Sequence, residues 1–214
     1  MKPSALLICG ALGREVKAMV DDHGWQVDVY GIPALLHFYP RKIVEAVDRR
    51  LGELSAAYTR VVVVYGDCGT AGALDRVIEK HGAVRVSGPH CYEMLAGAVE
   101  FDRLSEEQPA TFFLSDWLVR NFERAVVRGL GLDRYPSLLP VYFANYTNLL
   151  YLAQLPDVAL LEKAAEIASY LGLPLEVRQV GLGELQTRLA ALVASTAEQI
   201  SLPRSRGRVR VGAA

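Results

Sequence analysis

Residues 60–75 read RVVVVYGDCGTAGALD, and few folds can house such a stretch. Residues 61–65 are continuously β-branched or aromatic, without the alternation of a half-solvated strand. That pattern suits a strand covered on both faces, as at the centre of a parallel sheet. Gly66, Asp67, Cys68 and Gly69 then cut the run off, and a helical pattern begins near Thr70. Cys68 is thereby delivered to the strand's carboxyl end, between two glycines that permit a tight turn or a closely approaching ligand. Open α/β sheets bind their ligands at those carboxyl ends.

Strand and helix signals alternate along the rest of the chain. Strands are predicted over residues 5–9, 25–30, 83–86, 111–114, 149–153 and 175–180, in addition to the central run. Helices are predicted over 10–22, from Pro40 through Leu54, and over 70–80, 91–104, 117–128, 158–171 and 182–195, with a short one near 141–147. Pro40 suits a first helical position, Ser115 or Asp116 and Asp157 are N-cap residues, and Gly24 and Gly172 are stops. The expectation is an α/β fold with a mostly parallel sheet and helices on both faces, a Rossmann-like three-layer sandwich. One domain over residues 1–200 is expected, with two halves meeting near residue 108 as the alternative. Residues 201–214 carry Arg204, Arg206, Arg208 and Arg210 with little to bury, and are expected to form a disordered tail.

Composition removes several function classes. A formal net charge of −1 gives no overall attraction to nucleic acid or to an acidic membrane surface. No apolar run reaches the ~18 residues of a membrane span. The N-terminal MKPSALLICGALGRE lacks the apolar length and cleavage site of a secretory signal and reads as a first strand. A cytoplasmic setting follows as the expectation, so the three cysteines should be thiols or ligands and not disulfides.

All three cysteines follow strand-like runs: Cys9 ends ALLIC, Cys68 follows the central strand, and Cys91 follows AVRVSGPH. Their separations of 59 and 23 residues exclude a local zinc-ribbon or ferredoxin spacing, so any shared site must be assembled by the fold. Three thiolates converging from separate strand tips can hold three irons of a 4Fe–4S cluster and leave the fourth open to a substrate. They can equally hold Zn²⁺ with a free position, or with His37 or His90 as fourth ligand. Two other readings stand beside these. A metal-free thiol near a helix N-terminus can be a nucleophile, and three small buried side chains can simply fill space.

His90 and Glu93 are the candidate acid and base, and Gly66, Asp67 and Gly69 the candidate cofactor-binding loop. For each there is a plainer role: loop hydrogen bonding for His90, first-turn charge for Glu93, turn formation for Asp67. His37, between Leu36 and Phe38, reads as a satisfied, half-buried histidine; His23 and His81 precede glycines at helix ends. The glycine-rich loop lacks the lysine of a phosphate loop and the G-x-G-x-x-G spacing, which makes nucleotide a minor alternative. Tyr142, Asn145, Tyr146 and Tyr151 form a polar aromatic group, read as an amphipathic face or a partner surface.

The motifs GDCG, GPHCYE, TFFLSDWLVRNF, RGLGLDRYP and YFANYTNLLYLAQ together resemble the domain of unknown function 1638 family (DUF1638), over roughly residues 6–189. The resemblance implies that Cys9, Cys68 and His90–Cys91 fall at the family's cysteine motifs. It also implies a setting near corrinoid-dependent methyl transfer, with a corrinoid protein or methyltransferase as partner. The expectation is therefore a metalloenzyme acting on a small molecule through Cys9, Cys68 and Cys91. The alternative is an accessory or zinc-thiolate protein of corrinoid methyl transfer.

Overall fold

A computed structural model describes residues 2–201. The expected tail therefore lies almost wholly outside the described residues. Strands β1 (Lys2–Cys9), β2 (Asp28–Ile32), β3 (Tyr58–Val64) and β4 (Val84–Arg85) form one sheet in the order β2-β1-β3-β4. Strands β5 (Thr111–Ser115), β6 (Asn148–Ala153) and β7 (Leu175–Gln179) form a second, in chain order. Every pairing in both sheets is parallel. The α/β sandwich expected from the alternation is present, with its strands divided between two sheets.

The helices fall in the connections. They are α1 (Gly13–His23), α2 (Pro40–Ala57), α3 (Ala73–Lys80), α4 (Cys91–Ala96), α5 (Ala98–Glu107), α6 (Asp116–Phe122), α7 (Leu139–Phe143), α8 (Val158–Leu171) and α9 (Gly183–Ser201). The single helix predicted over 91–104 is two, because Gly97 leaves helical geometry with φ 88° and ψ 147°. The helix from Ser115 ends early in a wide π turn, Glu123–Val127, in which Arg128 N–H reaches back to Glu123 O at 2.9 Å. Residues 34–38, expected as loop, form a 3₁₀ turn.

Burial explains the strand signals. Residues 61–65 are at most 3% exposed, which requires cover on both faces of β3. Leu149 to Ala153 of β6 are at most 2% exposed for the same reason. Helix α9 returns to the first sheet, where Leu185 and Leu189 join its core. A small third cluster, Leu104, Leu150 and Leu152 with Tyr92 and Phe113, fastens α4 and α5 to the second sheet.

The strand order has a direct consequence. The chain runs from β1 outward to β2, then crosses to β3 and on to β4, so the winding reverses between β1 and β3. A crevice opens at the carboxyl ends of two such strands because their connections leave in opposite directions. Cys9 ends β1, and Cys68 follows β3 by four residues.

The second sheet is tied by a buried carboxylate. Asp116 is fully buried and accepts hydrogen bonds from Tyr151 Oη at 2.7 Å, Gln154 N at 3.0 Å and Leu155 N at 3.1 Å. It thereby holds the carboxyl ends of β5 and β6 in register. Asp116→Ala strands these donors away from water and should cost about 3 kcal/mol, read as a lowered urea midpoint at unchanged slope.

Candidate functional site

Two loops meet over the crevice through their backbones. Gly66 lies directly beneath the segment that leads into α4: a Cβ there would stand 2.5 Å from His90 Cα and 2.8 Å from Pro89 O. The N–H of Cys68 donates to Pro89 O at 3.0 Å. Arg85 braces both loops, donating from Nη1 to Tyr65 O at 3.1 Å and Gly88 O at 3.0 Å, while Nε pairs with Asp75 at 2.7 Å. Asp67 folds back on its own loop and accepts from Thr70 Oγ1 (2.7 Å), Gly72 N (2.8 Å) and Ala71 N (3.1 Å). The Thr70 bond leads in holding its carboxyl below the usual range. Asp67 and Gly66 thus shape the loop, and Gly69, at φ 83°, continues its turn beside Pro40. Cys68 itself takes a left-handed φ of 47°, a conformation costly to a residue with a Cβ.

These constraints bring the three thiols into one another's field. Cys9 is 3% exposed, and its sulfur accepts from Ala11 N at 3.4 Å. Cys68 and Cys91, half-buried, line a cavity of about 420 Å³ together with His90 and His37. Burial above all lifts the thiols, Cys9 from 9.0 to about 11 and Cys68 from 9.0 to about 12; for Cys68 the charge of Cys9 adds to it. Cys91 is raised further by burial, then by Cys9 and Cys68. Arg85 offsets this at Cys68 only in part. Without a bound cation the three are neutral thiols at pH 7, which is the wrong state for a nucleophile.

Tyr65 stands among them, and sequence reading gave no sign of it beyond the strand pattern. Its side chain is fully buried, and its hydroxyl has no hydrogen-bond partner among the described residues. Burial and the neighbouring Cys9, Cys68 and Cys91 all raise its pKa. Cys9 lies close enough to perturb the hydroxyl, but the geometry falls short of a hydrogen bond. A buried, unpaired hydroxyl costs about 1–3 kcal/mol, so this atom points to an acceptor supplied from outside the chain.

His90 caps α4 through Nδ1, which accepts from Glu93 N at 3.3 Å, and its ring rests edge-on to Phe101 at 4.7 Å. With Nδ1 accepting, the proton of the neutral ring sits on Nε2. Burial lowers its pKa and keeps it neutral. Glu93, the other candidate acid or base, does not line the cavity. Both its oxygens are held by Arg188 of α9, at 2.7 and 2.8 Å, an ion pair across 95 residues of sequence. The proposed tyrosine face also divides: Tyr151 is buried on Asp116, Tyr146 packs on Phe112 and Phe143, and Tyr142 is exposed.

Among the described residues no three His, Cys, Asp or Glu side chains form a group that could hold a single metal ion. A lone zinc needs every sulfur within about 2.3 Å of one point. A four-iron cluster gives each cysteine a separate iron, so its thiolates stand farther apart.

A family model described as "Protein of unknown function (DUF1638)" matches residues 32–189, and the chain belongs to that family. The match takes in Cys68, His90 and Cys91, while Cys9 precedes it. No curated protein matches the chain. No helix among the described residues is long and apolar enough to cross a membrane.

Raised thiol pKa values set a pH window. A thiol kept neutral by the fold but free to ionise when unfolded contributes stability that is complete below pH 9.0 and lost as pH rises through the folded value. The metal-free protein should therefore keep its urea stability from about pH 7 to 8 and lose it progressively above 9. Cys9 alone accounts for roughly 2 kcal/mol by pH 11, and the Cys9→Ala variant should decline less by that amount.

Proposed function

We propose that this protein is a metalloenzyme in which Cys9, Cys68 and Cys91 hold a 4Fe–4S cluster with one iron open to a small-molecule substrate. The observation that carries the reading is the unpartnered Tyr65 hydroxyl, buried among three thiols at the switch point of the first sheet. A cation at this place would let the raised thiols ionise, and an acceptor beside them would pair the buried hydroxyl. A cluster of thiolate-bound iron and sulfide answers both needs. Bound there, it supplies a Lewis-acidic position that polarises a carbonyl, hydroxyl or thiol.

The remaining roles belong to the chain's own side chains. Tyr65, buried beside the cysteines, would offer its hydroxyl proton as a hydrogen bond to the group they hold. His90, neutral and protonated on Nε2, donates a hydrogen bond from the cavity wall. The lining is largely apolar, which strengthens both interactions wherever the substrate displaces water. Arg85 and Gly66 keep the two cysteine loops in contact without touching the substrate.

Anaerobic purification followed by iron, sulfide and zinc analysis tests the assignment. About four irons and four sulfides per chain are expected, with a brown absorbance lost in Cys68→Ser while the far-ultraviolet dichroism stays unchanged. Zinc without iron would overturn the cluster and favour thiol activation, the chemistry of a methyl acceptor beside a corrinoid protein. A protein that binds neither metal, even after reconstitution with iron and sulfide, would end the metalloenzyme reading.

A further inference from the structure

The wall of the cavity has an unusual charge pattern for an enzyme site. Among the described residues that line it there is no Lys, Arg, Asp or Glu. Phe38, Tyr92, Phe112 and Trp117 supply aromatic faces, and alanine, leucine and valine side chains fill much of the rest. In the metal-free cavity an ionised ligand would give up its hydration with no side-chain counter-charge in return, which is strongly unfavourable. The volume, about 420 Å³, falls near the lower end of the roughly 300–1,000 Å³ typical of ligand pockets, enough for a one- or two-ring molecule.

His37 gives the cavity an acceptor. Its Nδ1 lies 2.6 Å from Ala34 O, and a carbonyl oxygen can only accept, so Nδ1 carries a proton. In the neutral ring the lone pair is then on Nε2, which has no partner among the described residues. The ring stacks on Tyr65, with centroids 5.5 Å apart and planes within 16°, so its plane is fixed by a buried side chain. His90 presents the opposite polarity, because its Nδ1 lone pair is already used by Glu93 N–H. One wall therefore accepts and the other donates, with apolar surface between them.

We propose that the cavity takes an uncharged, largely apolar small molecule whose single hydroxyl or thiol donates a hydrogen bond to His37 Nε2. This rests on the thiol crevice being the functional site, and it assigns the chemical class of the substrate.

The test uses three probes of one shape at pH 8: 4-methylphenol, toluene and 4-methylbenzoate. Trp117 lines the cavity, while Trp25, the second of the two tryptophans, packs against His23. Fluorescence of the full-length Trp25→Phe variant thus reports occupancy, and calorimetry on the unaltered protein checks it. In the metal-stripped protein saturable binding of 4-methylphenol is expected, at least tenfold tighter than 4-methylbenzoate and about fivefold tighter than toluene. His37→Phe should erase the preference over toluene and leave toluene itself bound. Equal or tighter binding of 4-methylbenzoate, no saturable binding at all, or an intact preference in His37→Phe would each overturn the proposal. Running the titrations on both as-purified and metal-stripped protein separates this outcome from the iron analysis. Selective binding without iron leaves the ligand class standing and removes the cluster; iron without selective binding does the reverse.

Discussion

Everything at the crevice depends on one backbone contact, the seating of the Pro89–His90 segment on Gly66. It is a steric constraint before it is anything else. A side chain at position 66 would occupy the space of His90 Cα, and the two cysteine-bearing loops would have to separate. The hydrogen bond from Cys68 N–H to Pro89 O and the Arg85 brace follow from that closeness; they cannot create it. Because the contact is made by backbone, it does not depend on side-chain rotamers, which suits a site that must be preorganised. The left-handed turn at Cys68 is held within the same arrangement.

Much of the fold was legible because burial writes itself into residue choice. A fully covered strand can be apolar at every position, and residues 61–65 say so without ambiguity. Asp157 and Gly172 bound α8 where capping chemistry places them: Asp157 Oδ1 meets Leu160 N at 3.4 Å, and Gly172 takes a left-handed φ of 68°. The division into two sheets was legible only as an alternative, two halves meeting near residue 108, since periodicity describes a strand's faces and carries no information about its edges. The break of the helix at Gly97 was lost because an isolated glycine inside an apolar pattern is compatible with a continuous helix.

For the site, the boundary between legible and hidden follows sequence distance. The three cysteines stand out in the sequence because each follows its own strand, and parallel pairing carries those strand ends to one edge of the sheet. Tyr65 was hidden because a tyrosine inside a strand reads as ordinary core, and only coordinates reveal that its hydroxyl lacks a partner. Glu93 looked free because the arginine that occupies it arrives 95 residues later, on α9. His37 read as a satisfied, half-buried histidine between Leu36 and Phe38; the 3₁₀ turn over residues 34–38 leaves it exposed, along the cavity lining.

The π turn at Glu123–Val127 has a consequence for how such a cavity can change. Ala125 and Val126 form part of the wall, and Leu130 follows just beyond. Phe38 lies against Gly129, where a Cβ would stand 2.6 Å from its ring. A π turn holds one residue more than the α-helical turn it replaces, and each residue of an α-helix rotates the chain by about 100°. Removal of one residue here would wind the segment back to α-helical register and carry Leu130 away from the crevice. The contour of the pocket is thus stored in chain length as well as in side-chain volume. A lineage altering this wall has two independent routes: exchanging a residue adjusts its texture, whereas gaining or losing one re-aims it.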